Sequence, residues 1–180
     1  MLDGKKIVLG VTGCSPAYQV PDIIKRLKKL HGDVYVVMTE NSANFITPLT
    51  LQHNLNHPIQ ILSFEPPKVW DKDHQSLSQG QDLLLIAPAS ANILGKAANG
   101  IADDLLSTTI MSSRGPKVVA THINSLMYNS PSVQRNVQTL KSDGFVFVDN
   151  HDSNRPSFFP SIDQIIDTVL QVLKIENKNV

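Results

Sequence analysis

Five short apolar runs decide most of what this chain can fold into. Ile7 to Val11, Val34 to Met38, Leu83 to Ala87, Lys117 to Thr121 and Phe145 to Val148 are apolar at nearly every position, and the first is rich in β-branched residues. A strand with one wet face alternates polar and apolar residues. These runs do not, so they read as strands buried on both faces, the pattern of a parallel sheet covered by helices. The intervening stretches supply the cover. Val20, Ile23, Ile24, Leu27 and Leu30 recur at helical spacing, with Lys25, Arg26, Lys28 and Lys29 on the polar face. Helical patterns follow around 40–55, 91–112 and 131–142, and the chain closes on Ile162 to Leu173, where Ile165, Ile166, Val169, Leu170 and Leu173 share a face. Strands alternating with helices, joined by right-handed crossovers, give a doubly wound α/β three-layer sandwich of the Rossmann or flavodoxin type.

Composition sets bounds on that reading. The 180 residues suit one domain, here taken as 1–180, with 41% hydrophobic and 18% charged residues, which is the composition of a chain with a real core. Sixteen basic side chains balance sixteen acidic ones, leaving no electrostatic footprint for nucleic acid or an anionic membrane. Cys14 is the single cysteine and cannot close an intrachain disulfide. No apolar run reaches the roughly 18 to 20 residues of a membrane span, and the stretch after Lys5-Lys6 is too short for a signal sequence, so a cytoplasmic protein is expected. No metal site is expected.

In an open parallel sheet, ligands bind beyond the carboxyl ends of the strands. Those positions carry small and hydroxyl residues here. Gly13, Cys14 and Ser15 follow the first strand before a helix, where unpaired backbone N–H groups favour a phosphate. The stretch lacks both the G-x-G-x-x-G dinucleotide fingerprint and the G-x-x-x-x-G-K-[ST] of a P-loop. Thr39-Glu40-Asn41-Ser42 follows the second strand, with Phe45 a turn further on, able to lie against a planar ring. Pro88, Ala89, Ser90, Ala91 and Asn92 follow the third strand, and Gly95, Ala97, Ala98, Gly100 and Ala102 precede Asp103-Asp104-Leu105-Leu106-Ser107. His122 and Asn124 follow the fourth. Each stretch alone is an ordinary turn or N-cap. Four consecutive mouths so furnished point to a flat, phosphorylated cofactor. Polar stretches at Ser63 to Gly80, carrying Trp70, and at Asn150 to Pro160 are the loops expected to bear function.

The same residues carry a resemblance over roughly 4–148 to the flavin-dependent cysteine decarboxylases, a family that includes phosphopantothenoylcysteine decarboxylase and the peptide decarboxylases of epidermin and mersacidin formation. Gly10-Val-Thr-Gly13-Cys14-Ser15-Pro16-Ala17-Tyr18 resembles the family's G-V-T-G-S-I-A-A-Y loop, and Pro88-Ala89-Ser90-Ala91-Asn92-Ile93 its P-A-S-A-N-T motif. Met38-Thr39-Glu40 with Phe45-Ile46-Thr47-Pro48-Leu49 is similar to its second flavin-binding stretch. The resemblance implies FMN held by Gly13, Cys14, Ser15, Thr39, Phe45, Pro88, Ala89, Ser90, Ala91, Asn92, Ser107 and His122. Asp73-His74-Gln75-Ser76-Leu77 lies where the family has H-I-E-L, which gives His74 the role of catalytic base. Thr121-His122-Ile123-Asn124-Ser125-Leu126-Met127 matches P-x-M-N-x-x-M at Asn124 and Met127, which assigns Asn124 to the substrate's carboxylate, as a catalytic and substrate-binding residue, and Met127 to the substrate. Assembly as a homo-trimer with flavin sites between subunits is implied as well.

The phosphopantothenoylcysteine decarboxylases carry a cysteine in a glycine-rich flap after the fifth strand, serving a final reduction. Residues 149–161 here contain neither Cys nor Gly. The front half of the chain is similar to the coenzyme A enzymes, and the late segment to the peptide decarboxylases that stop at an enethiol. The expected activity is therefore FMN-dependent oxidative decarboxylation of a cysteine carboxylate, at a peptide's C-terminus. A phosphopantothenoylcysteine decarboxylase, a non-catalytic regulatory flavoprotein and a prenyl-flavin synthase relative stand as alternatives.

Overall fold

The computed structural model describes residues 1–61, 77, 80–152, 154–155 and 157–176. Its strands are β1 (Lys6–Val11), β2 (Asp33–Met38), β3 (Leu83–Ala89), β4 (Lys117–Thr121) and β5 (Phe145–Phe147). They form one sheet in the order β2-β1-β3-β4-β5 with every pair parallel. The helices are α1 (Val20–Lys29), α2 (Pro48–Gln52), α3 (Ala91–Ala98), α4 (Leu105–Ser112), α5 (Ser125–Tyr128), α6 (Pro131–Ser142) and α7 (Ile162–Glu176).

Alternating residues of each strand explain why the apolar runs are continuous. Ile7, Leu9 and Val11 of β1, with Leu83, Leu85 and Ala87 of β3, join one buried cluster with Val20, Ile23, Ile24 and Leu27 of α1 and Ile165, Ile166 and Val169 of α7. Val8, Leu84, Ile86 and Val119 join a second with Ile93 and Leu94 of α3, Leu105, Leu106 and Ile110 of α4, and Val133, Val137 and Leu140 of α6. Each fully buried Leu or Ile contributes about 1.5–3 kcal/mol of transfer free energy, so both faces are needed to stabilise a sheet this size.

The order reverses between β1 and β3. From β1 the chain winds outward through α1 to β2, then returns past β1 and winds the other way. This is the switch point at which a crevice opens beyond the strand ends.

Two helical expectations are refined. The pattern over 40–55 is a 3₁₀ turn at Glu40–Asn44 followed by the short α2, whose start is fixed by the Thr47 side chain, which accepts the Thr50 N–H, and by Pro48. The pattern over 91–112 is two helices. α3 ends before Gly100, whose φ of +65° suits glycine. α4 then restarts on the Asp104 N-cap, which forms a capping box with Ser107.

Candidate functional site

Thr12, the first residue past β1, is buried and laces two strand mouths together. Its hydroxyl donates to the Pro88 carbonyl at 2.7 Å and accepts the Ser90 N–H at 3.0 Å. Gly13 sits so close to the β2 side that an added Cβ would lie 3.0 Å from the Asn41 carbonyl oxygen, so the two loops touch backbone to backbone. The Thr39 N–H donates to the Val11 carbonyl at 3.0 Å, and the Ser42 hydroxyl donates to the Thr39 carbonyl at 2.6 Å. Ser90 caps α3 by accepting the Ile93 N–H. Between these mouths lies a cavity of about 480 Å³, walled by Thr12, Gly13, Thr39, Ser90, Asn92 and Ile93.

Four charged residues also line the cavity: Glu40, next to Thr39, and Lys96, Asp103 and Asp104. Lys96 Nζ lies 2.6 Å from both an Asp103 and an Asp104 carboxylate oxygen. The hydrogen bonds to Asp103 and Asp104 hold the Lys96 pKa above its ordinary value. Burial works to raise the Asp104 carboxyl, but the bonds to Lys96 and to Ser107 outweigh it, and its pKa lies below the usual carboxylate range. One ammonium among three carboxylates leaves these residues with a net negative charge that repels an anion, so a phosphate fits the hydroxyl and N–H groups instead.

The Cys14 thiol is buried between the loops after β1 and β4, 3.7 Å from the His122 carbonyl and 3.5 Å from the Thr12 hydroxyl. Burial pushes its pKa up, against a smaller lowering by Thr12, which keeps it a thiol rather than a nucleophilic thiolate. The His122 ring lies 3.2 Å from the Ser15 hydroxyl through Nε2 and accepts the Phe159 N–H at Nδ1, 3.3 Å away. Burial lowers the His122 pKa.

The sequence-derived candidates are therefore distributed unevenly. Gly13, Thr39, Ser90 and Asn92 share the cavity wall. Pro88 and Ala89 do not line it; their carbonyls accept from Thr12 and from the His122 N–H, tying the end of β3 to its neighbours, and Ala91 opens α3 beside Asn92. Cys14 and Ser15 turn toward His122. Ser107 is buried in the α4 capping box and faces a second, smaller space of about 200 Å³ beneath Lys96. Phe45 is half-exposed and does not line the cavity. Asn124 caps α5, its side-chain oxygen accepting the Leu126 N–H at 2.9 Å, with Met127 exposed beside it. His74 lies outside the described residues. Lys96 and the two aspartates were not among the candidates. The spacing of Asn92 and Lys96, four residues apart and so on one face of α3, was the available signal.

One atom tests what the cavity is for. Thr39 Oγ1 is fully buried and has no hydrogen-bond partner among the described residues. A buried hydroxyl left unpaired costs about 1–3 kcal/mol, a cost that a phosphorylated ligand with several acceptor oxygens would remove. Hydroxyls, backbone N–H groups and small side chains around a space of this size fit a flavin nucleotide.

Comparison with known proteins agrees with that chemistry. The flavoprotein family matches residues 1–174, and the chain belongs to it. The coenzyme A biosynthesis bifunctional protein CoaBC of Bacillus subtilis (strain 168) is 35% identical over 149 residues. That match covers 83% of this chain but 37% of CoaBC, so the chain spans little more than a third of this curated relative. The FMN-dependent cysteine decarboxylase SpaF superposes with a TM-score of 0.84 at 31% identity, covering 97% of this chain and 99% of SpaF. MrsD from Bacillus sp. HIL-Y85/54728 superposes with the same TM-score at 25% identity, covering 96% of this chain and 98% of MrsD. The fold is shared with both over nearly the whole chain.

Proposed function

We propose that this chain is one FMN-binding domain that oxidatively decarboxylates a cysteine carboxylate and releases an enethiol, acting on the C-terminal cysteine of a peptide. The observation that carries the FMN assignment is the buried, unpartnered hydroxyl of Thr39, a residue that lines the cavity at the β1/β3 switch point. Support for the reaction class comes from the 31% identity to SpaF over nearly the whole of both chains.

A saturated amino-acid carboxylate keeps its CO₂ because the carbanion left behind has nowhere to delocalise. When bound, FMN supplies an acceptor for the hydride of the cysteine's Cβ–S unit, which turns that unit into the electron sink that lets CO₂ leave. The chain's own residues do the rest. Gly13, Thr39, Ser90 and Asn92 hold the cofactor's polar groups, and Thr12 fixes the spacing of the two strand mouths that carry them. Asn124, exposed at the start of α5, orients the substrate carboxylate, with Met127 against the substrate's apolar part. His74 removes a proton as the thiol is oxidised.

The peptide reading is favoured by the segment 149–161, which has no cysteine to return electrons to the product; dioxygen then takes them. A second reading, decarboxylation of phosphopantothenoylcysteine, is favoured by the 35% identity to CoaBC. Mass spectrometry of each candidate substrate after incubation with the FMN-loaded protein separates the outcomes. A loss of about 46 mass units, CO₂ plus two hydrogens, marks oxidation without reduction, and about 44 marks reduction following. Absence of both losses overturns the enzyme assignment. Replacing His74 with Asn should retain flavin and abolish the loss. A protein that works between subunits also needs neighbours, and a homo-trimer is the proposed assembly.

A further inference from the structure

His122 joins two loops that carry different parts of the proposed site. The Phe159 backbone N–H can only donate, so the Nδ1 it faces at 3.3 Å must present a lone pair. In the neutral ring the proton then sits on Nε2, which donates to the Ser15 hydroxyl 3.2 Å away. Ser15 keeps its own O–H free for another acceptor. The backbone reinforces the junction on both sides. Toward the first loop, the Cys14 thiol donates to the His122 carbonyl. Toward the late segment, the Ile123 N–H donates to the Ser157 carbonyl at 2.9 Å and the Ser157 hydroxyl to the Ile123 carbonyl at 2.8 Å. The Phe158 ring stands edge-on to the imidazole at 5.5 Å. Asn150 stabilises the same segment by donating to the Arg155 and Phe158 carbonyls. The ring is thus the one side chain bonded to both loops among the described residues, and it precedes Asn124 by two positions.

We propose that His122 is a positioning residue that ties the loop after β1 to the 157–159 segment, so that a flavin held by the first loop also steadies the second, beside the substrate-orienting Asn124. The inference rests on the FMN reading above. It departs from a direct cofactor contact for His122: the ring acts through Ser15.

Two conservative replacements separate the two bonds. In Asn, Oδ1 takes the place of Nδ1, so His122→Asn keeps an acceptor for Phe159 and loses the donor to Ser15. In Gln, Nε2 takes the place of the imidazole Nε2, so His122→Gln keeps the donor to Ser15 and loses the acceptor for Phe159. The probes are FMN itself, titrated into apo-protein and followed by flavin fluorescence, and hydrogen exchange at the Phe159 amide with and without FMN. In the wild-type protein FMN should slow exchange at Phe159. His122→Asn and the surface change Ser15→Ala should each raise the FMN Kd about three- to tenfold, the equivalent of one lost hydrogen bond. His122→Gln should bind FMN within about twofold of wild type, with Phe159 exchange faster and no longer responsive to FMN. Wild-type affinity in both His122→Asn and Ser15→Ala, or a Phe159 amide in His122→Gln that still responds to FMN, overturns the proposal while leaving the FMN reading intact. A wild-type protein that binds no FMN overturns both.

Discussion

Thr39 illustrates how a single atom separates stability from function. Replacement by the isosteric Val removes an unpaired buried hydroxyl, so the apo-protein should melt no lower than wild type, while its Kd for FMN should rise about three- to tenfold. Calorimetry and a flavin fluorescence titration check the two halves. His122 carries a pH dependence with a definite sign. Its ordinary pKa of 6.5 is lowered by burial, so between the two values the unfolded chain binds more protons than the folded one. Its contribution to stability is therefore present above pH 6.5 and is lost as the pH falls below it. No carboxylate faces the ring among its described partners, which are Ser15, Phe158 and Phe159, with Arg155 against the Phe158 ring. Thermal midpoints measured at about pH 7 and about pH 5 should fall less in His122→Gln than in wild type. At this scale the sequence announced hydroxyls at the strand mouths through their residue types, since Thr39 and Ser90 follow immediately on apolar runs. It could not announce that Cys14 and Ser15 turn toward β4, because that direction is set by the 3₁₀ turn Ser15–Gln19 and by its contact with His122.

The elements were legible where periodicity is strong and obscure where capping decides. All five strands, α1, α6 and α7 follow from apolar spacing alone. The break between α3 and α4 does not, because Leu94, Leu105 and Leu106 keep an apolar pattern running while Gly100 and the Asp104 cap reset the backbone. Lys96 holds that break together. Lys96→Met would leave two carboxylates facing each other without their cation, costing about 1–2 kcal/mol, a figure reduced because both aspartates are partly exposed. Urea denaturation should record that loss near neutral pH, and a smaller one in acid where the carboxylates are protonated. β1 meets Leu106 of α4 at Gly10. A Cβ on Gly10 would lie 2.5 Å from Leu106 Cδ1, so Gly10→Ala should cost about 1–3 kcal/mol through overpacking, measured in the same way.

At the scale of the whole molecule, segments that follow β1, β2 and β4 each bare a large apolar side chain: Tyr18 is 68% exposed, Leu49 80% and Leu126 86%. Large apolar residues bared beside a proposed site are what a subunit interface covers. Light scattering after size exclusion should give the mass of three chains; a single-chain mass would remove the trimer. No described helix is long and apolar enough to cross a membrane. All of this turns on one claim, that the crevice between β1 and β3 holds a flavin nucleotide, and the visible spectrum of the purified protein, saturated with FMN and freed of excess by gel filtration, tests it most directly. Retained flavin absorbance at one FMN per chain is the predicted result. A colourless protein after the same treatment would contradict it.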